Sequence, residues 1–187
     1  MFLMKWIVKD YKMADARSIF LSKFKPFIST LKNTSFDKDN QVYLCNDMVQ
    51  KVYDFDAIIK KLYPLKQPAS YDALIIDNQN IYCIEFKNQK SKIIKKDTKQ
   101  IHKKLLNGYE ALKEIFHTYN IGMKEYQFIY CVAYQNNKDK WRRGIERNKI
   151  QFGLEEYKGQ YFDKIYTNDI NFFTHEYKKY FYKELKC

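Results

Sequence analysis

YDALIIDNQNIYCIEFK, residues 71–87, is the stretch on which the fold turns. Two β-rich runs, YDALIID and IYCIEFK, are joined across Asp77-Asn78-Gln79-Asn80, a cluster of turn residues. The pattern predicts an antiparallel hairpin. With the turn centred on Asn78–Gln79, Ile76 faces Ile81, Leu74 faces Cys83, Asp72 faces Glu85 and Ser70 faces Lys87. Side chains alternate along a strand, so all of these share one face. That face is apolar near the turn and turns to Asp, Glu and Lys at the open end. Ala73, Ile75, Tyr82, Ile84 and Phe86 make the other face, suited to packing under a helix.

Two carboxylates directly opposite one another on paired strands repel, and the pair needs a compensating cation. A hard divalent ion held by carboxylate oxygens and waters suits the spacing, with Mg²⁺ the usual choice. Lys87 lies two residues beyond Glu85 and points to the same side. It is placed to hold a metal-activated water or to steady charge on a phosphate. The same three residues would also be unremarkable as surface charges on an exposed strand end, so their weight comes from the hairpin around them.

Outward from the hairpin, a long amphipathic helix is expected at about 97–119. Ile101, Leu105, Gly108, Leu112, Ile115 and Tyr119 line one stripe. QFIYCVAY, 127–134, reads as a strand buried on both faces. Strand, helix and buried strand suggest a crossover onto a parallel neighbour. Upstream, helices are expected over 14–32, with Pro26 kinking or splitting the first, and over 47–62, with a loop at 33–40 between them. Downstream come a basic loop at 141–149, a strand at 161–167 and a closing aromatic helix at 171–185.

The composition sets outer bounds. A chain of 187 residues with 45% hydrophobic content suits one domain with a real core. Five glycines and three prolines exclude collagen-like and linker-like chains, and none of the glycines forms a phosphate-binding loop. The net charge of +12 points to an anionic partner. Lysine makes up 30 of the 34 basic residues, as the codon usage of an A/T-rich genome would also give, so location matters more than the total. From Phe86 to Lys104 there are eight lysines against one acid, Asp97. That cluster reads as a phosphate-tracking surface, or as a solvated helix face. Arg142, Arg143 and Arg147, beside Trp141, form a second basic group suited to bidentate phosphate or guanine contacts. Cys45, Cys83, Cys131 and Cys187 form no close-spaced clip, and a reducing cytoplasm is the expected setting. No apolar run is long enough to span a membrane and the start does not read as a signal peptide, so no membrane association is expected. The histidines, 102, 117 and 175, lack metal-ligand spacing.

Tyr71-Asp72, then Glu85-Phe86-Lys87 at the end of an apolar strand, then an amphipathic helix and a buried strand, resemble the PD-(D/E)XK nuclease superfamily. The resemblance covers about residues 68–134. It implies an α/β restriction-endonuclease-like core, a mixed central β-sheet flanked by helices. The N-terminal helices of 14–62 and the C-terminal elements of 141–187 would pack on that core as one domain. It also implies Mg²⁺-dependent (Mn²⁺ in its place) phosphodiester hydrolysis, usually of DNA. By that resemblance Asp72 and Glu85 would ligate the metal with the backbone carbonyl of Phe86 nearby, and Lys87 would orient the attacking water. Tyr71 stands where the family's proline would be, with Pro68 close by. One exonuclease branch carries Gln-x-x-x-Tyr on the next helix. Here Gln100 is followed at that spacing by Lys104, and both stand as substrate contacts with Lys90, Lys92, Lys95 and Lys96. Members often add an acid from the first helix, for which Asp15, Asp54 and Asp56 are the candidates, each equally readable as a cap or surface charge. Endonuclease and exonuclease are not told apart, and cutting both strands with a single-site domain would need a homodimer.

Overall fold

A computed structural model describes residues 14–94, 98–135, 149–181 and 185–187. Its centre is the expected hairpin, β5 (Ala73–Asp77) and β6 (Asn80–Lys90), turning at Asn78 and Gln79. Asn78 takes a left-handed backbone, φ 46°, which asparagine tolerates better than most residues. From Ala73 to Asp77 the register is the one the sequence predicts, with Leu74 opposite Cys83 and Ile76 opposite Ile81, but the ladder stops there and does not include the predicted Asp72–Glu85 and Ser70–Lys87 pairs.

Six strands form one mixed sheet in the order β1-β4-β5-β6-β7-β8. β1 (Ile28–Thr30), β4 (Lys51–Asp54), β5 and β6 pair antiparallel. β7 (Gln127–Gln135) and β8 (Lys164–Asp169) extend the sheet in parallel. The expected crossover is present: α5 (Lys99–Thr118) carries the chain from β6 to its parallel neighbour β7. A small second sheet pairs β2 (Phe36–Asp37) with β3 (Val42–Tyr43).

Strand alternation divides the interior in two. On one face Leu74, Ile81, Cys83, Tyr130 and Val132 pack against α1 (Ala16–Lys23), α3 (Phe55–Leu62) and α5. On the other, Ala73, Ile75, Tyr82, Ile84 and Phe86 pack with Leu31, Leu44 and Ile170 and Tyr177 of α6 (Ile170–Phe181). Two further short helices among the described residues are α2 (Leu31–Thr34) and α4 (Ser91–Ile94). Among the described residues no helix is long and apolar enough to cross a membrane.

Three expectations change. The helix predicted over 47–62 begins only at Phe55; Lys51–Asp54 is strand, because Val52 and Tyr53 are β-formers that find partners on β1, and Tyr53 on β5 as well. The helix predicted over 14–32 stops at Lys23, Pro26 sits in a single 3₁₀ turn, and Ile28–Thr30 becomes an edge strand. Residues 33–40, expected as loop, hold the end of α2 and β2. A disulfide also joins Cys45 to Cys187, 142 residues apart, while Cys83 and Cys131 are free and buried.

Candidate active site

Asp72 lies one residue before β5, just outside its ladder with β6, and its backbone is held by both neighbouring segments. Its N–H donates to the Ile84 carbonyl at 2.9 Å and its carbonyl accepts from the Phe55 N–H at 3.2 Å. That position sets Asp72 beside the strand end that carries Glu85. It also brings the start of α3 alongside. Glu85 is fully buried on β6, opposite Val132 of β7.

The carboxylates converge on one cation. Lys104, from α5, places its ammonium 2.9 Å from Asp72 Oδ1 and 2.9 Å from Glu85 Oε2. Asp72 Oδ2 accepts from the Phe86 N–H at 2.6 Å. The Lys87 ammonium lies 2.8 Å from Glu85 Oε1, forming an ion pair with its side chain 21% exposed. Burial, then the Glu85 carboxylate, push the Asp72 carboxyl up to about 7, with Lys104 and the Phe86 N–H pulling the other way. Burial alone would lower the Lys104 ammonium, but Glu85 and Asp72 outweigh it and hold it above the ordinary lysine range.

Of the three helix-borne acids, the structure separates caps from site. Asp15 caps α1 by accepting from Ser18 N–H, and Asp54 caps α3 by accepting from Ala57 N–H. Asp56, in the first turn of α3, accepts from the Ser70 hydroxyl and feels both Lys104 and Asp72. Burial raises its proton affinity, while Ser70 and Lys104 oppose that. Asp56 is thus the one of the three that does not cap a helix by a side-chain hydrogen bond; its bond is to Ser70.

The remaining candidates scatter. Lys90 and Gln100 are exposed. Lys104, expected to touch substrate, instead bridges the two carboxylates. The Phe86 N–H bonds Asp72, which holds the backbone that carries the Phe86 carbonyl beside the pair. Ser70, expected opposite Lys87, turns to Asp56. Lys95, Lys96, Arg142, Arg143 and Arg147 lie outside the described residues, as does the side chain of Lys92. His102, which lacks metal-ligand spacing, joins elements instead: its Nε2 donates to the Phe152 carbonyl at 2.6 Å and its Nδ1 lies 3.0 Å from the Tyr157 hydroxyl, tying α5 to the loop before β8.

Asp72 and Lys87 border a cleft of about 220 Å³, walled by residues 34–37 on one side and 86–89 on the other. A larger cavity of about 720 Å³ lies between Tyr63, Pro68 and α5 and touches none of these residues. Its acids, Glu110 and Glu114, are exposed, so chemistry rather than volume selects the smaller cleft.

Among the described residues no three His, Cys, Asp or Glu side chains gather as a metal-binding group. Mg²⁺ does not require one, since it is commonly held by one or two carboxylates with waters and substrate phosphate completing the shell. Two hard oxygens that already share one cation, Asp72 Oδ1 and Glu85 Oε2, fit that donor chemistry. Comparison of the chain with protein-family models, curated proteins and solved structures finds no match.

Proposed function

We propose that the chain is a metal-dependent nuclease that hydrolyses phosphodiester bonds in DNA on a restriction-endonuclease-like core. One observation carries the reading: Asp72 and Glu85 converge at the open end of a single hairpin, with Lys87 2.8 Å from Glu85 and a cleft alongside. The mixed sheet with helices on both faces and the +12 charge support it.

In this reading Asp72 and Glu85 hold Mg²⁺, or Mn²⁺ in its place. When bound, the ion would polarise the scissile phosphate and lower the proton affinity of a coordinated water. Lys87 has the exposure and the position to orient that water and to steady charge developing on the phosphate. The Phe86 N–H and the Glu85–Lys87 ion pair fix the carboxylate orientations before substrate arrives. Asp56, held by Ser70 at the start of α3, would add negative charge in the neighbourhood of the pair.

The test is incubation of the protein with linear, circular, single-stranded and branched DNA, with Mg²⁺, with Mn²⁺ and with EDTA. Metal-dependent cleavage of at least one substrate is the expected outcome, and the cleaved class tells endonuclease from exonuclease. No cleavage of any would favour a second reading, a non-catalytic nucleic-acid-binding or protein-interaction module on the same fold. The Lys104 ammonium is the observation behind that alternative, because it balances the carboxylate pair with no metal.

A further inference from the structure

We infer that Lys104 is a built-in competitor of the divalent ion: its ammonium holds the space between Asp72 and Glu85, and metal binds only when that ammonium swings away. The inference rests on the metal site proposed above. Three of the four carboxylate oxygens accept hydrogen bonds: Asp72 Oδ2 from the Phe86 N–H, and Asp72 Oδ1 and Glu85 Oε2 together from Lys104, while Glu85 Oε1 lies 2.8 Å from the Lys87 ammonium as an ion pair without a hydrogen bond. Oδ1 and Oε2 are thus the two oxygens, one from each acid, that a single side-chain movement sets free. Mg²⁺ needs oxygens at roughly 2.0–2.1 Å, and an ammonium bonded to the same two atoms stands where the ion would sit. Two cations sharing two oxygens also repel at short range in a buried setting.

The movement belongs to the side chain rather than the helix. One turn after Lys104, Gly108 presses on the Tyr71 ring so closely that an added Cβ would lie 2.5 Å from it, which fixes the backbone of α5. Lysine has a flexible four-carbon stem and, unlike arginine, a compact head that leaves one site for another without rearranging a planar fork. The side chain is 16% exposed, so it is not sealed in. A displaced ammonium remains at the rim of the site, where the proposed substrate is a polyanion, so DNA would draw it out and favour metal loading.

Two measurements test this. First, Mn²⁺ binding is titrated by electron paramagnetic resonance for wild type, Lys104→Met and Lys104→Gln, without DNA. Both variants should bind at least tenfold more tightly. Second, wild type is acetylated with an amine-reactive ester in EDTA and in saturating Mg²⁺, and modification at Lys104 is quantified by mass spectrometry. Lys104 should be protected in EDTA and modified several-fold faster with the metal. Equal or weaker Mn²⁺ binding by the variants overturns the inference, as does unchanged protection of Lys104 in metal-bound wild type. If the variants do not fold, the labelling of wild type decides alone. Absence of Mn²⁺ binding in wild type and variants alike would remove the metal site itself and the inference with it, whereas equal binding by all removes only the role of Lys104.

Discussion

Asp72 is held in two ways at once: burial and the Glu85 carboxylate favour its proton, while Lys104 and the Phe86 N–H favour its charge. Its folded-state value is raised, to about 7 against an ordinary 3.8. The protonated group therefore stabilises the fold most below its unfolded value, and that contribution is lost as pH rises from about 4 through about 7. Asp72→Asn removes this titration. In EDTA its melting temperature relative to wild type should climb between pH 5 and pH 8, and a flat or falling difference would contradict the assignment. The residues of the hairpin were legible in the sequence because a strand repeats every two residues, so one turn placement puts Asp72, Glu85 and Lys87 together. Lys104 was not, because its role depends on how α5 is rotated against the sheet. A signal existed: Lys104 lies three residues after Ile101 and four before Gly108, on the buried stripe. Asp15, Asp54 and Asp56 were indistinguishable in sequence, since a cap and a site acid use the same residue type. Only the meeting of α3 with the strand end carrying Asp72 separates them.

At the scale of elements, the site depends on α5 lying very close to the start of β5. Gly108 allows it: a Cβ there would meet Tyr71 ring carbons at 2.5, 2.8 and 2.9 Å. Tyr71 cannot retreat easily, being fully buried and stacked on Phe55 with ring centroids 5.0 Å apart. Gly108→Ala gains helix propensity of up to about 1 kcal/mol. The overpacking it causes should cost about 1–3 kcal/mol, and a buried contact this short puts the cost in the upper part of that range. We expect net destabilisation in urea unfolding; a variant as stable as wild type would mean the helix shifts freely, and Lys104 with it. The hairpin and the βαβ unit were readable from periodicity, since β6 and β7 are apolar runs flanking one amphipathic helix. β4 was not readable, because Val52 and Tyr53 fit a helical stripe as well as a strand and their pairing with β1 and β5 is a long-range effect.

At the scale of the molecule, the chain's last residues are fastened to its first third. Cys187 bonds to Cys45, Lys186 N–H donates to Asp47 Oδ2 at 3.0 Å, and Asn46 N–H donates to the Lys186 carbonyl at 3.2 Å. The cross-link adjoins the core layer where Leu44, Leu31 and Tyr177 pack, and the Cys45 backbone also bonds Ser35 in the wall of the cleft. No spacing rule exposes a pair separated by 142 residues, which is why the sequence did not reveal it. Cys187→Ser should lower stability by about 2–4 kcal/mol under oxidising conditions and by nothing under reducing ones. Thiol titration in denaturant without reductant should count two free cysteines, Cys83 and Cys131; a count of four would remove the cross-link. The nuclease reading rests on β6, where the antiparallel and parallel halves of the sheet meet and bring Asp72, Glu85 and Lys87 together. Single-turnover cleavage of DNA by wild type, Glu85→Gln and Lys87→Ala, with Mg²⁺ and with EDTA, tests it most directly. The account requires cleavage by wild type with Mg²⁺ alone, loss of cleavage in both variants, and DNA binding within a few-fold of wild type; cleavage persisting at the wild-type rate in either purified variant would contradict it.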